Sequence, residues 1–166
     1  MAARGLVRYG LAMAHTYRAS QTADASEEAA WMVLSDTTSY PTWNPLTPRV
    51  EGPLVVKGKL VLRVALAGWR FPMHATVVRA QPGELAWRVA WPLGLIQALR
   101  VQRTFRRDDG RTEIETSETI GGWLSPIVHM LFGGWLASAL AQWANAACLR
   151  ASDVERRLTH IVTEPG

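Results

Sequence analysis

One cysteine, Cys148, stands in the 166 residues, and the four histidines, His15, His74, His129 and His160, lie far apart. A lone cysteine excludes an intramolecular disulfide and any zinc site built on several thiolates. No histidine pair has the spacing of a helix-borne metal motif, so neither a metal nor a cofactor is expected. Cys148 falls in an apolar helical pattern, which fits a buried structural thiol better than a nucleophile.

Lysine is nearly missing: arginine outnumbers it 16 to 2, within a net charge of +4 and a pI of about 9.8. The densest basic stretch, Arg100 to Arg111, is divided by alternation between two faces of a strand. Without a one-sided patch or a reading motif, no nucleic-acid partner is expected. Charge is absent altogether from Thr119 to Leu149. That run is long enough to cross a bilayer. Pro126, His129, Gln142 and Asn145 interrupt it, and Gly133-Gly134 sits in its middle, which favours a helix buried against a sheet. Membrane contact is the less favoured reading. Residues 1–14 hold two early arginines and only a short, broken apolar run, unlike a secretory signal. They are expected to be an extension, and the protein to be cytoplasmic.

What is present describes one globular domain. Hydrophobic residues make up 48% and charged residues 19%, enough to bury a core. Eight tryptophans are many for this length. Each brings a large apolar area and an indole N–H that needs a partner, so broad apolar surfaces with polar edges are expected.

Along the chain, "HTYRASQTAD" alternates like a strand. "DASEEAAWMVLSD" starts as a helix, with Ser26 as cap and Glu27 and Glu28 in the first turn. "SYPTWNP" then holds a short helical turn fixed by prolines, with Asn44 capping. From Arg49 the period becomes two. Leu60, Leu62, Val64 and Leu66 share a face, as do Leu85, Trp87, Val89 and Trp91. Turns fall at Pro82-Gly83 and at Asp109-Gly110. On the last hairpin, Leu99, Val101, Arg103 and Phe105 align on one arm, and Ile114, Thr116, Glu118 and Ile120 on the other. A helix opens at Ser125 and Pro126; run unbroken to Leu158 it would be about 50 Å long, with Gly133-Gly134 as a bend. Strand, helix, helical turn, about six strands and a long helix make an α+β domain over residues 15–158, followed by a tail at 159–166.

This order resembles the SRPBCC superfamily, the START-like helix-grip fold that includes polyketide cyclases. The resemblance rests on "ADASEEAAWMVLSDTTSYPTWNP", "VEGPLVVKGKLVLRV", "PGELAWR", "TFRRDDGRTEIETSETIGG" and the closing "ALAQWANAACLRASDVERRL". It implies a curved antiparallel β-sheet of about seven strands wrapped around a long C-terminal helix, with two short helices closing one end. It also implies a deep, mostly apolar cavity that holds a hydrophobic small molecule such as a lipid or a polyketide. Many relatives carry a histidine two residues before the Phe of "TF"; here that position is Arg103.

Candidate site residues follow from facing. Arg103, aligned with Val101 and Phe105, is expected on the concave side, with Glu118 diagonal to it across the hairpin. One reading makes Arg103 an anchor for a carboxylate, enolate or phenolate; the other makes Arg103 and Glu118 a structural ion pair near the sheet rim. His74 is an acid–base candidate if it faces inward, which its mixed alternation leaves open. Trp43, Trp69, Trp87 and Trp91 are expected to wall or plug the cavity. Phe132, Trp135 and His129, on the long helix, would complete the lining. Two functions remain open: a carrier or sensor of a hydrophobic ligand, and a cyclase or dehydratase in which Arg103 polarises a carbonyl while a His or Glu moves the proton. Oligomeric state is not legible.

Overall fold

The computed structural model describes residues 14–66 and 68–163, so nearly all of the expected extension at 1–14 lies outside the described residues. The elements are β1 (His15–Ala23), α1 (Glu27–Ser35), α2 (Tyr40–Trp43), β2 (Arg49–Glu51), β3 (Lys59–Leu66), β4 (Trp69–Gln81), β5 (Glu84–Ala90), β6 (Gln97–Arg106), β7 (Thr112–Gly121) and α3 (Ser125–Thr163). All strand pairs are antiparallel, in the order β1-β7-β6-β5-β4-β3-β2. From β2 to β7 each strand pairs with its successor, and β1 closes the far edge beside β7. α3 lies against β1, β7 and α1, gripped by the sheet as the resemblance implied.

Local chemistry explains the two short helices. The Ser26 hydroxyl accepts from Ala29 N at 3.2 Å, capping α1, and donates to Glu155 Oε2 of α3 at 2.6 Å. The cap therefore also ties α1 to the last turns of α3. Pro41 occupies the first turn of α2, where its missing N–H costs nothing. Asn44 Oδ1 accepts from Leu46 N and Thr47 N, at 3.1 and 2.8 Å, and turns the chain toward β2. Fully buried Tyr40 donates its hydroxyl to Leu34 O at 2.6 Å, joining α2 to the end of α1.

Facing follows the expected alternation in most strands. Leu60 and Leu62 in β3, and Leu85, Trp87 and Val89 in β5, are buried. A bulge between Val77 and Arg79 shifts the register of β4, which is why no single alternation described that strand. α3 continues as one helix through Gly133-Gly134. A Cβ at Gly133 would lie 3.1 Å from the Tyr17 hydroxyl and 3.1 Å from His129, so the glycine admits β1 close to the helix. The helix also passes the boundary expected at 158 and ends at Thr163. Its apolar stretch is long enough to cross a membrane by length and composition, and part of it is buried within the fold. The buried face, with Leu136, Leu140, Trp143, Ala147 and Ala151, packs on the core.

Two outcomes follow. The Ser26 hydrogen bonds hold the Glu155 carboxyl below its usual range, so its contribution is present above pH 4.5 and fades as pH falls through the lowered value. Glu155→Gln should cost about 1 kcal/mol at neutral pH, and the difference from wild type should vanish in acid denaturation scans. Burial pushes the Cys148 thiol up to about 12. A thiol reagent at mildly alkaline pH should therefore label the protein only in denaturant.

Candidate ligand-binding site

The β6–β7 hairpin decides which side chains face the helix. Arg107 N donates to Arg111 O at 2.9 Å, closing a loop of Asp108, Asp109 and Gly110, with Gly110 at φ +82. This is a three-residue connection with its glycine in the left-handed region, not a two-residue turn. The extra residue sets Arg103 opposite Glu115, and Arg100 opposite Glu118. A one-residue slip moves an entire side-chain set to the other face. The inward set on β6 is therefore Ala98, Arg100, Gln102 and Thr104, all buried, and not Leu99, Val101, Arg103 and Phe105.

That reverses several expectations. Arg103 lies on the outer face and bonds Glu84 of β5 at 3.0 Å, with Glu115 of β7 at 3.8 Å. It is a cross-strand ion pair 39% exposed, with no access to the interior. Val101 shares that outer face, and Phe105 is 45% exposed near the hairpin turn, so neither lines a cavity. His74 is also outward and exposed, beside an open depression of about 710 Å³ on the outer face of β3–β5 that includes Lys59 and Arg88. Trp69 and Trp91 are exposed at the sheet end, and His129 is held outside the core, bonded to the Tyr17 hydroxyl at 2.6 Å and stacked on His15 at 3.8 Å.

The remaining candidates come together. Glu118 faces inward and is ion-paired with Arg100 at 3.5 Å, their side chains 16% and 5% exposed. The Arg100 guanidinium lies 5.2 Å from the centroid of the Trp143 ring, a cation–π contact. Trp43 packs on Trp143 at 5.9 Å and edge-on to Tyr40 at 5.1 Å. Trp87 is buried in the same core, and Phe132 and Trp135 on α3 pack against it. A small opening of about 80 Å³ lies between the segment after α2 and α3, lined by Leu46, Trp135 and Ala139 among others.

Around Arg100 the interior is polar and incompletely satisfied. Arg100 Nε and Nη2, Gln102 Oε1, Thr116 Oγ1, Trp143 Nε1 and Asn44 Nδ2 are shut off from solvent without a hydrogen-bond partner among the described residues. Gln102 and Thr116 are register partners next to the Arg100–Glu118 pair, so these four polar side chains, three of them with an unpartnered atom, form one block on the sheet. Each orphaned group costs about 1–3 kcal/mol, a burden that marks the block as more than packing. Burial raises the Glu118 carboxyl above its usual range, and the Arg100 cation only partly counters it. Burial also lowers Arg100, against the charges of Glu118 and Tyr40, yet a guanidinium starts high enough to remain charged. The arrangement offers several donors and one carboxyl raised by burial within an apolar wall.

Arg100, Gln102, Tyr40 and Trp143 did not stand out in the sequence. One signal was available. β6 places its apolar residues outside and its polar ones inside, a local contradiction of the binary pattern that tends to mark functional strands.

Comparison with known proteins agrees with this architecture. Residues 14–152 match the model of the family described as polyketide cyclase / dehydrase and lipid transport. Among solved structures, the Zhui aromatase/cyclase from Streptomyces sp. R1128 aligns with a TM-score of 0.70 at 17% identity, covering 87% of this chain and 96% of that one. A hypothetical protein, jhp0584, from Helicobacter pylori aligns with a TM-score of 0.69 at 13% identity, covering 82% and 88%. A START superfamily protein from Mycobacterium smegmatis aligns with a TM-score of 0.61 at 18% identity, covering 87% and 99%. No curated protein matches the sequence. With its seven-stranded sheet gripping α3, a polar block facing the helix and a family model matched over most of its length, the chain belongs to the polyketide cyclase / dehydrase and lipid transport family, within the START-like SRPBCC superfamily.

Proposed function

We propose that the protein binds a hydrophobic small molecule between the sheet and α3, with Arg100 as its polar anchor, and serves as a carrier or sensor. The observation that carries this reading is the block of buried, unpartnered polar atoms around Arg100. Unpaired donors predominate there: two guanidinium N–H positions and the indole N–H of Trp143. They call for a ligand whose apolar body ends in acceptor oxygens, such as a carbonyl, enolate or carboxylate. Trp43, Trp87 and Trp143 supply flat apolar area for that body. Because Tyr40, Trp43, Arg100 and Trp143 pack on one another, a ligand reaches Arg100 by displacing one of them. Trp43, the only one not fully buried, sits in the short α2 and is the one placed to move.

A second reading, cyclisation or dehydration of a polyketide-like substrate, is favoured by one feature: the raised Glu118 carboxyl beside Arg100. Arg100 would polarise a carbonyl and Glu118 would carry the proton. The polarising role expected of Arg103 passes to Arg100, and of the expected proton carriers, a His or a Glu, this reading takes Glu118.

Native mass spectrometry of the purified protein is the direct test, with a co-purifying apolar ligand as the expected result. Arg100→Met leaves Glu118 without its cation and should destabilise the fold by about 3–5 kcal/mol at neutral pH. Its carboxyl then rises further, so the loss should ease on acidification, as Glu118 takes up a proton. Arg100→Met combined with Glu118→Leu should recover most of the stability while abolishing ligand retention. If this folded double variant keeps the ligand at wild-type occupancy, Arg100 is not the anchor. Glu118→Gln separates the two readings: a carrier keeps its ligand, whereas a cyclase keeps its ligand and loses turnover.

A further inference from the structure

One end of the molecule carries a concentration of exposed apolar side chains that the binding site does not use. Strand directions bring together there the β3–β4 turn, the β5–β6 connection, the β7–α3 connection and the start of β1. On this rim Trp69 is 79% exposed, Leu93 89%, Trp123 77% and Met130 74%, with Leu131 and Ile127 beside them. Two of the connections are zipped together: Trp123 N donates to Gly94 O at 3.3 Å and Leu124 N to Leu95 O at 3.0 Å. A Cβ at Gly122, whose φ is +102, would lie 2.7 Å from both carbonyl oxygens, so only glycine permits this approach. The Trp123 and Leu93 segments thus form one built surface.

Leu93 adds a second observation. Its φ of 57 and ψ of 17 place a leucine in the left-handed region, which γ-branched side chains rarely occupy. The strained residue is also the most exposed large hydrophobic one in the described chain. Strain kept at a position where burial gains nothing points to a role outside the folded chain itself.

Charge indicates the partner. None of the 14 acidic residues lies in the stretches that form this rim, 14–16, 66–70, 91–97 and 121–134. The nearest, Glu118, is turned inward onto Arg100. Most acids sit at the other end, on the β1–α1 connection, the β6–β7 hairpin and the last turns of α3. Arg70, exposed next to Trp69, forms no ion pair among the described residues. A protein partner of ordinary composition has no need of tryptophans combined with so complete an absence of negative charge. An anionic bilayer surface rewards both, because indoles settle at the headgroup level while arginines pair with phosphates.

We propose that this rim docks the protein onto anionic lipid surfaces, with Trp69, Leu93, Trp123 and Met130 entering the interface and Arg70 at its edge. The proposal is independent of the ligand reading, since every residue it uses lies outside the Arg100 block.

The test is co-sedimentation of the full chain with phosphatidylcholine vesicles containing or lacking phosphatidylglycerol. Binding is expected to the anionic vesicles, to weaken with added salt, and to be nearly lost on phosphatidylcholine alone. The combined variant Leu93→Ser, Trp123→Ser, Met130→Ser should lower the vesicle partition coefficient about tenfold or more. Ile161→Ser, at an exposed apolar residue at the far end of α3, should leave it unchanged. Circular dichroism checks that both variants fold. Absence of vesicle binding by the wild-type chain, or equal binding by the rim variant, overturns the proposal. So does a wild-type dimer in solution that the rim variant abolishes while vesicles bind neither form, because the rim would then be covered by a second copy.

Discussion

The hydrogen bond from Arg107 N to Arg111 O closes the β6–β7 loop over three residues, and the character of the interior follows from that count. With Arg106 opposite Thr112, the ladder places Arg100 against Glu118 and Gln102 against Thr116 on the inner face. The loop glycine, at φ +82, adopts the conformation this loop length requires. One residue fewer in the loop would bring Arg103 inward and turn Arg100 to solvent. Two strands at the centre of the grip therefore carry a polar block because a surface turn has a particular length.

That block is expensive. An arginine with two unbonded nitrogens, a carboxylate raised by burial and an indole N–H without a partner all lie beside Tyr40 and Trp43. A core chosen for stability alone would replace the pair with apolar residues of similar volume. Surrounding packing offsets the expense: Trp143 covers the guanidinium, Trp87 and Leu85 hold β5 beneath it, and α1 is fastened to α3 through Ser26 and Glu155. The outer face shows the opposite economy, with Arg103, Glu84, Glu115 and Arg79 satisfying one another at the surface.

The two ends of the molecule divide the work. Acidic residues gather where α1 and the β6–β7 hairpin lie, while tryptophans and aliphatic side chains project from the end where α3 begins. Under the two proposals above, the polar anchor inside and the apolar rim without negative charge would together let the protein collect a water-insoluble molecule from a lipid surface. The long uncharged stretch of α3 fits the same division. One face of the helix closes the core, and its first turns contribute Ile127, Met130 and Leu131 to the rim.

The element order, the strand faces of β3 and β5, the Ser26 cap, the Asn44 turn and the structural thiol of Cys148 were legible in the sequence. Each depends on residues within a few positions of one another, through period, capping or turn chemistry. The inward face of β7, including Glu118, was legible for the same reason. The partner of Glu118 was not. Hydrophobic alternation on β6 favours Leu99, Val101 and Phe105 as the inner set, and only the pairing of whole strands overrules it. The facing of His74 is set by the pairing of β4 with β3, and the close approach of β1 to Gly133 involves Tyr17, more than a hundred residues away. Local pattern determined which segments exist and how they begin and end. Tertiary structure decided which side of β6 meets the helix, because register is a property of two strands and their loop, and one residue in that loop exchanges the faces.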